Sequence, residues 1–259
     1  MESMRNLIKF ITPESGDKIL ELGCGTGNLT NLIAKKYPFV KKLVVIDSSS
    51  QMLEFCINRF QNKNMVDIRQ FDPYESSSLG FKFVLEDNYK YVISHLSFPF
   101  PEDSKKDFRK LVERVSKIIQ TSGYFIITVH NVVVEIEDDM YERNTDSFIN
   151  DMVDLFKKHY NRKAIRMLSR NKYSEEDFLK IFTGDQLFKL EDMKTVKYPF
   201  KMLDRISMWK VPAILGTLID LRIANKKDVN DLIFNKLTDK YIDKKTADIR
   251  TKTFTFKKI

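Results

Sequence analysis

The residues with the clearest chemical purpose are the glycines of Ile19-Leu-Glu21-Leu-Gly23-Cys-Gly25-Thr-Gly27-Asn28. A short apolar run entering a glycine turn that opens a helix makes a backbone cradle. Residues without a Cβ take up left-handed conformations and let a ligand approach the main chain closely. A dinucleotide fingerprint would need glycine where Asn28 stands, and a phosphate-binding loop would need Gly-Lys-Ser/Thr after the turn; the chain has neither. Glu21, Asp47 and Asp72 fall at or near the carboxyl ends of three successive strand patterns. Carboxylates there accept hydrogen bonds from hydroxyl or amine donors. His95 closes a fourth such pattern, where an imidazole titrates near neutrality and can serve as a base.

The elements that must position these groups are legible in the hydrophobic pattern. Met4, Leu7, Ile8 and Ile11 recur with helical spacing and are stopped by Pro13. Buried strands are expected over 18–22, 42–47, 65–70, 89–94 and 124–129. Helices are expected over 28–36, along the stripe Met52, Leu53, Cys56, Ile57 and Phe60, and along Phe108, Leu111, Val112, Val115 and Ile119. Ser48, Ser49 and Ser50 offer N-caps for the second of these helices. Strands alternating with amphipathic helices imply a parallel sheet covered on both faces, an open doubly wound α/β domain. Past residue 131 the pattern changes to mostly polar helical sequence. A helix is expected over 173–182, a strand within 188–200, helices over 203–224 and 227–241, and a final strand over 247–256.

The glycine pattern E-x-G-x-G-x-G after the first strand resembles class I S-adenosylmethionine-dependent methyltransferases of the small-molecule type, and Asp47 and Asp72 extend the resemblance over roughly Met1 to His130. It implies a Rossmann-like methyltransferase fold, a mostly parallel seven-stranded sheet with a helical lid insertion, and S-adenosyl-L-methionine as cofactor. By the same resemblance Glu21, Gly23, Gly25 and Gly27 surround the methionine part and Asp47 takes the ribose, with Ser48 also among the cofactor-binding residues. Met52, Phe71 and Asp72 lie at the adenine, and Ser94 and His95 face the reacting centre. A single domain over 1–259 is expected, with 131–172 and 202–243 as lid or substrate-binding insertions.

The acceptor must be read from outside this common core. The Asn/Asp-Pro-Pro-Tyr signature of nucleic-acid amino methyltransferases is replaced by Ser94-His-Leu-Ser-Phe-Pro99, and neither Cys24 nor Cys56 is placed for catalysis of carbon methylation. Phe98, Arg205 and Trp209, with His95, are the expected substrate-binding residues; aromatic surface with few polar groups suits a small, partly apolar acceptor. Arg205 suits an acceptor carboxylate. His95 is the expected general base for a hydroxyl acceptor. An RNA or protein acceptor on the basic surface is the alternative within enzymes, and a catalytically inactive cofactor-binding partner subunit the alternative outside them.

Composition sets the outer bounds. Hydrophobic residues make up 42% and charged residues 31%, enough to bury a core and to exclude global disorder. The net charge of +8 admits anionic partners, yet its lysines are scattered in short pairs that read as solvated helix faces. Two cysteines make neither a disulfide framework nor a four-cysteine zinc site. No apolar run approaches the roughly 18 residues of a membrane span, and Glu2, Arg5 and Lys9 break the N-terminal apolar run. The expectation is a cytoplasmic, metal-free enzyme acting on a small molecule, with neither nucleic acid nor membrane as partner.

Overall fold

The computed structural model describes residues 2–74, 88–97, 105–130, 155, 158, 175–201, 235–241 and 246–259. Helix α1 (Glu2–Leu7) runs into a 3-10 turn (Ile8–Phe10). Then come β1 (Lys18–Leu22), α2 (Asn28–Lys36), β2 (Lys42–Asp47), α3 (Ser50–Phe60), β3 (Val66–Gln70) and β4 (Tyr89–His95). Helix α4 (Lys105–Ile118), β5 (Ile119–His130), α5 (Glu175–Thr183), a second 3-10 turn (Gly184–Gln186), β6 (Phe188–Lys201), α6 (Asn235–Tyr241) and β7 (Thr246–Lys258) follow. The strands form one seven-stranded sheet in the order β3-β2-β1-β4-β5-β7-β6. Its first five strands pair in parallel, while β7 runs antiparallel to β5. This is the doubly wound α/β architecture expected from the alternation of patterns.

Register places the carboxyl ends of the parallel strands together. Leu22 lies opposite both Ile46 and Ser94, Asp47 opposite Gln70, and His95 opposite Thr128. Strand order reverses between β1 and β4, and a crevice at such a switch point is where open α/β sheets bind ligands.

Alternation along the strands sends side chains to both faces. One face packs Ile19, Val45, Ile93 and Ile126 against Leu7, Ile33, Leu53 and Phe60 of the helices. On the other, Phe125 meets Phe182, and Phe182 stacks on Phe256 with centroids 3.9 Å apart. Strand ends shift by a residue or two at β3, β4 and β7 and by five residues at the start of β5, and two residues depart from their expected places. Ile57 is 49% exposed, because the buried face of α3 is carried by Leu53, Cys56 and Phe60. Ile119 belongs to β5 and not to the preceding helix, since it pairs with Tyr89.

The chain divides into two compact units. The first comprises 1–131, 175–196 and 251–259; the second comprises 132–174 and 197–250. All contacts detailed below lie in the first unit. Of the expected insertions 131–172 and 202–243, only Leu155, Lys158 and α6 fall among the described residues.

Candidate functional site

The site is built where β1 ends. Gly23 and Cys24 donate their N–H groups to the Ile46 carbonyl at 2.8 and 2.9 Å, which ties the turn to the end of β2. The Gly27 N–H closes the turn on the Cys24 carbonyl at 2.9 Å and delivers the chain to α2. Two of the glycines serve different purposes. A Cβ on Gly23 would stand 2.2 Å from the Ser97 Cβ, so this glycine lets the chain after β4 lie against the turn. A Cβ on Gly25, at φ +53°, would meet nothing within 4 Å, so here the bare backbone faces open space. That is the cradle a ligand needs, and the residues present fit a cofactor that sits close to the main chain.

Asp47 couples this loop to the next. Its Oδ2 accepts the Gly25 N–H at 2.8 Å and its Oδ1 the Ser49 N–H at 2.9 Å. The N-cap of α3 is Ser49, whose Oγ accepts the Met52 N–H at 3.3 Å, so capping does not explain Asp47. A carboxylate offers about four acceptor positions, and two remain for ligand hydroxyls. Ser48 is exposed and Met52 half-buried beside it. Phe71 is buried and donates its N–H to the Asp47 carbonyl at 2.9 Å. Asp72 is exposed and its Oδ1 accepts the Tyr74 N–H at 2.9 Å.

Glu21 lies beneath the loop, 2% exposed, and accepts the Thr30 hydroxyl at 2.6 Å. Burial pushes its carboxyl up to about 8, against a smaller opposing effect of the Thr30 bond. Cys24 and Cys56 are free and buried close to it; the Cys24 thiol is held well above the usual thiol range by its neighbour Cys56 and by burial. A thiol so placed is a packing group.

At the end of β4 the backbone is pinned from several sides. The fully buried Ser94 hydroxyl lies 2.6 Å from the Ser97 Oγ, which donates to the Leu22 carbonyl at 2.7 Å. Leu96 takes a positive φ of 56° and donates its N–H to the Thr128 carbonyl at 2.9 Å. The His95 side chain reaches α1, where Nε2 lies 2.8 Å from the Ser3 Oγ.

Gly25 and Asp47 are thus bonded directly, Gly23, Gly27 and Ser94 are tied to the same turn through Ile46, Cys24 and Ser97, Glu21 is bonded to Thr30, and Phe71 is bonded to Asp47. Phe98, Arg205 and Trp209 lie outside the described residues. Ser3, Thr30 and Ser97 were not legible as site residues. Ser3 meets His95 across 92 positions of sequence, and no local pattern signals such a contact. Among the described residues no cluster of three or more His, Cys, Asp or Glu could hold a metal, and no helix is long and apolar enough to cross a membrane.

A glycine cradle at the switch point of a seven-stranded sheet with an antiparallel β7 defines the class I S-adenosylmethionine-dependent methyltransferase fold. A family model described as a methyltransferase domain matches residues 13–183, and the chain belongs to that family. Among curated relatives, a malonyl-[acyl-carrier protein] O-methyltransferase of Acetivibrio thermocellus is 33% identical over 95 residues, covering 37% of this chain and 30% of that protein. An ornithine lipid N-methyltransferase of Singulisphaera acidiphila is 25% identical over 122 residues, covering 47% of this chain and 62% of that one. The chain therefore matches less than two thirds of the length of either. The YcgJ protein of Bacillus subtilis shares the fold with a TM-score of 0.62 at 15% identity, over 99% of this chain and 98% of that one.

Proposed function

We propose that the chain transfers a methyl group from S-adenosyl-L-methionine to an oxygen or nitrogen of a small, partly apolar molecule. The observation that carries this reading is the open backbone face at Gly25, fixed by Asp47 at 2.8 Å. Gly23, Gly25 and Gly27 would hold the methionine part beside Glu21, Asp47 and Ser48 the ribose, and Met52, Phe71 and Asp72 the adenine. The cofactor, when bound, supplies an electrophilic methyl group on a sulfonium. The protein then has to align the acceptor lone pair and exclude water, and alignment alone is worth roughly 7–11 kcal/mol in favourable cases.

A hydroxyl acceptor must also lose a proton, and His95 at the end of β4 is the base we assign to it. Acceptor binding is assigned to Phe98, Arg205 and Trp209, with 131–172 and 202–243 as the segments that differ from the common core. The relatives support either acceptor atom, one being named an O-methyltransferase and the other an N-methyltransferase.

Calorimetry with S-adenosylmethionine and S-adenosylhomocysteine tests the cofactor, with affinity expected near micromolar, about −8 kcal/mol. No heat with either ligand in folded protein would overturn the reading. Methyl transfer to a panel of small hydroxyl, carboxyl and amine compounds tests the acceptor. The alternative, an RNA or protein acceptor on the basic surface, is distinguished on its RNA arm by a steep loss of RNA binding with added salt.

A further inference from the structure

We propose that Thr30 is a positioning residue for the cofactor: its hydroxyl holds the Glu21 carboxyl beneath the glycine turn and gives it the hydrogen bond with which it meets the cofactor's ammonium as a carboxylate. The inference rests on the assignment of Glu21 to the methionine part and names the residue that prepares it.

Glu21 stands in an apolar row. It pairs with Val45 on β2 and Ile93 on β4, both fully buried, so its side chain shares their face of the sheet. A carboxylate there has lost its water and needs a donor from the protein. Helix α2 supplies one: the Thr30 hydroxyl, itself fully buried, donates to the Glu21 Oε2 at 2.6 Å. Thr30 lies one turn before Ile33 and Ala34 on the buried face of α2, where an aliphatic side chain would serve packing as well. A helical threonine commonly returns its hydroxyl to the carbonyl four residues back. This one reaches across to β1.

The other groups around the carboxyl work against its charge. Burial is the largest effect, Cys56 of α3 and Asp47 of β2 add to it, and Ile93 of β4 is uncharged. Cys24 in the turn is close enough to feel the charge of Glu21 in return. The Thr30 bond is the effect that favours the ionised form. A hydroxyl can accept from a neutral carboxyl, but its bond to a carboxylate is the stronger. With the carboxyl at about 8, the need to ionise it lowers the apparent cofactor affinity about tenfold at pH 7. Without the Thr30 bond the value lies higher and that loss grows.

The test compares wild type, Thr30→Val and Thr30→Ser by carbon-13 NMR and calorimetry. In ligand-free protein the carboxyl signal of Glu21 is identified by its loss in Glu21→Gln. Thr30→Val should titrate about one to two pH units higher, as expected for one hydrogen bond to a charged group. Its affinity for S-adenosylhomocysteine should be about 10- to 100-fold weaker at pH 7, and that deficit should shrink roughly five- to tenfold by pH 9. The ammonium's own titration cancels in the ratio. Thr30→Ser should match wild type in both readouts, and if valine does not fold, Thr30→Ala takes its place. An unshifted titration, or a deficit that stays constant with pH, would overturn the proposal, the second result marking Thr30 as packing. No heat with S-adenosylhomocysteine in the wild type would overturn the proposed function itself, and this inference with it, before any variant is compared.

Discussion

Gly25 and Asp47, 22 positions apart, share one hydrogen bond of 2.8 Å, so the carboxylate expected to hold the ribose also fixes the backbone expected to hold the methionine part. On the proposed function, the two halves of the cofactor site are coupled through this bond. Asp47→Ala should lose both functions and weaken S-adenosylhomocysteine by about 1.5–3 kcal/mol, the usual worth of hydrogen bonds to a charged group. Asp47→Asn keeps one oxygen for one of the two N–H groups and should fall between wild type and alanine. Calorimetry on the three proteins checks the order; equal affinities would mean that Asp47 serves the turn alone.

Substitutions in the glycine turn should separate stability from binding. Gly25→Ala points its methyl into open space, so only the left-handed backbone opposes it, at roughly 1–2 kcal/mol. Its melting temperature should fall modestly while cofactor affinity drops at least on the order of tenfold, about 1.4 kcal/mol. Gly23→Ala drives a methyl into Ser97 and disturbs the bonds of Ser94, Ser97 and Leu22. That variant should be the less stable of the two by thermal denaturation.

Glu21 makes stability depend on pH. Its folded value of about 8 stands above the ordinary 4.5, so the folded protein binds the extra proton between these values. Stability is then full below about pH 4.5 and declines as pH rises through about 8, by an amount of order 5 kcal/mol if no other group compensates. Glu21→Gln should flatten this slope in urea titrations between pH 5 and pH 8, roughly the span the linkage covers. A cofactor ammonium beside Glu21 would favour the ionised form, so binding near pH 7 should release protons. Calorimetry in buffers of different ionisation enthalpy measures that release.

Trp209, the one tryptophan of the chain, reports on the acceptor assignment. Its fluorescence should change more with cofactor and acceptor together than with cofactor alone. Trp209→Ala should raise the acceptor KM, because it removes apolar surface worth roughly 25 cal/mol per Å² buried. Cofactor affinity should hold. Parallel loss of stability and of both ligands would instead mark Trp209 as core.

The sequence by itself determined the strands β1 to β5, the helices between them and the glycine turn. Each of these is a local signal: a buried apolar run, a helical stripe, or a residue type demanded by a left-handed backbone. Asn28–Lys36 and Lys42–Asp47 match the pattern residue for residue. Ile57 departed from its stripe because a helix buries only the face its neighbours cover, and coverage is not written in spacing. Tertiary structure alone decided that Gly25 rests on Asp47, that Gly23 makes room for Ser97, and that burial lifts Glu21. It also decided that Ser3 meets His95. These are contacts between elements distant in the chain, and their strength comes from desolvation and from geometry that exists only after the sheet and helices have packed.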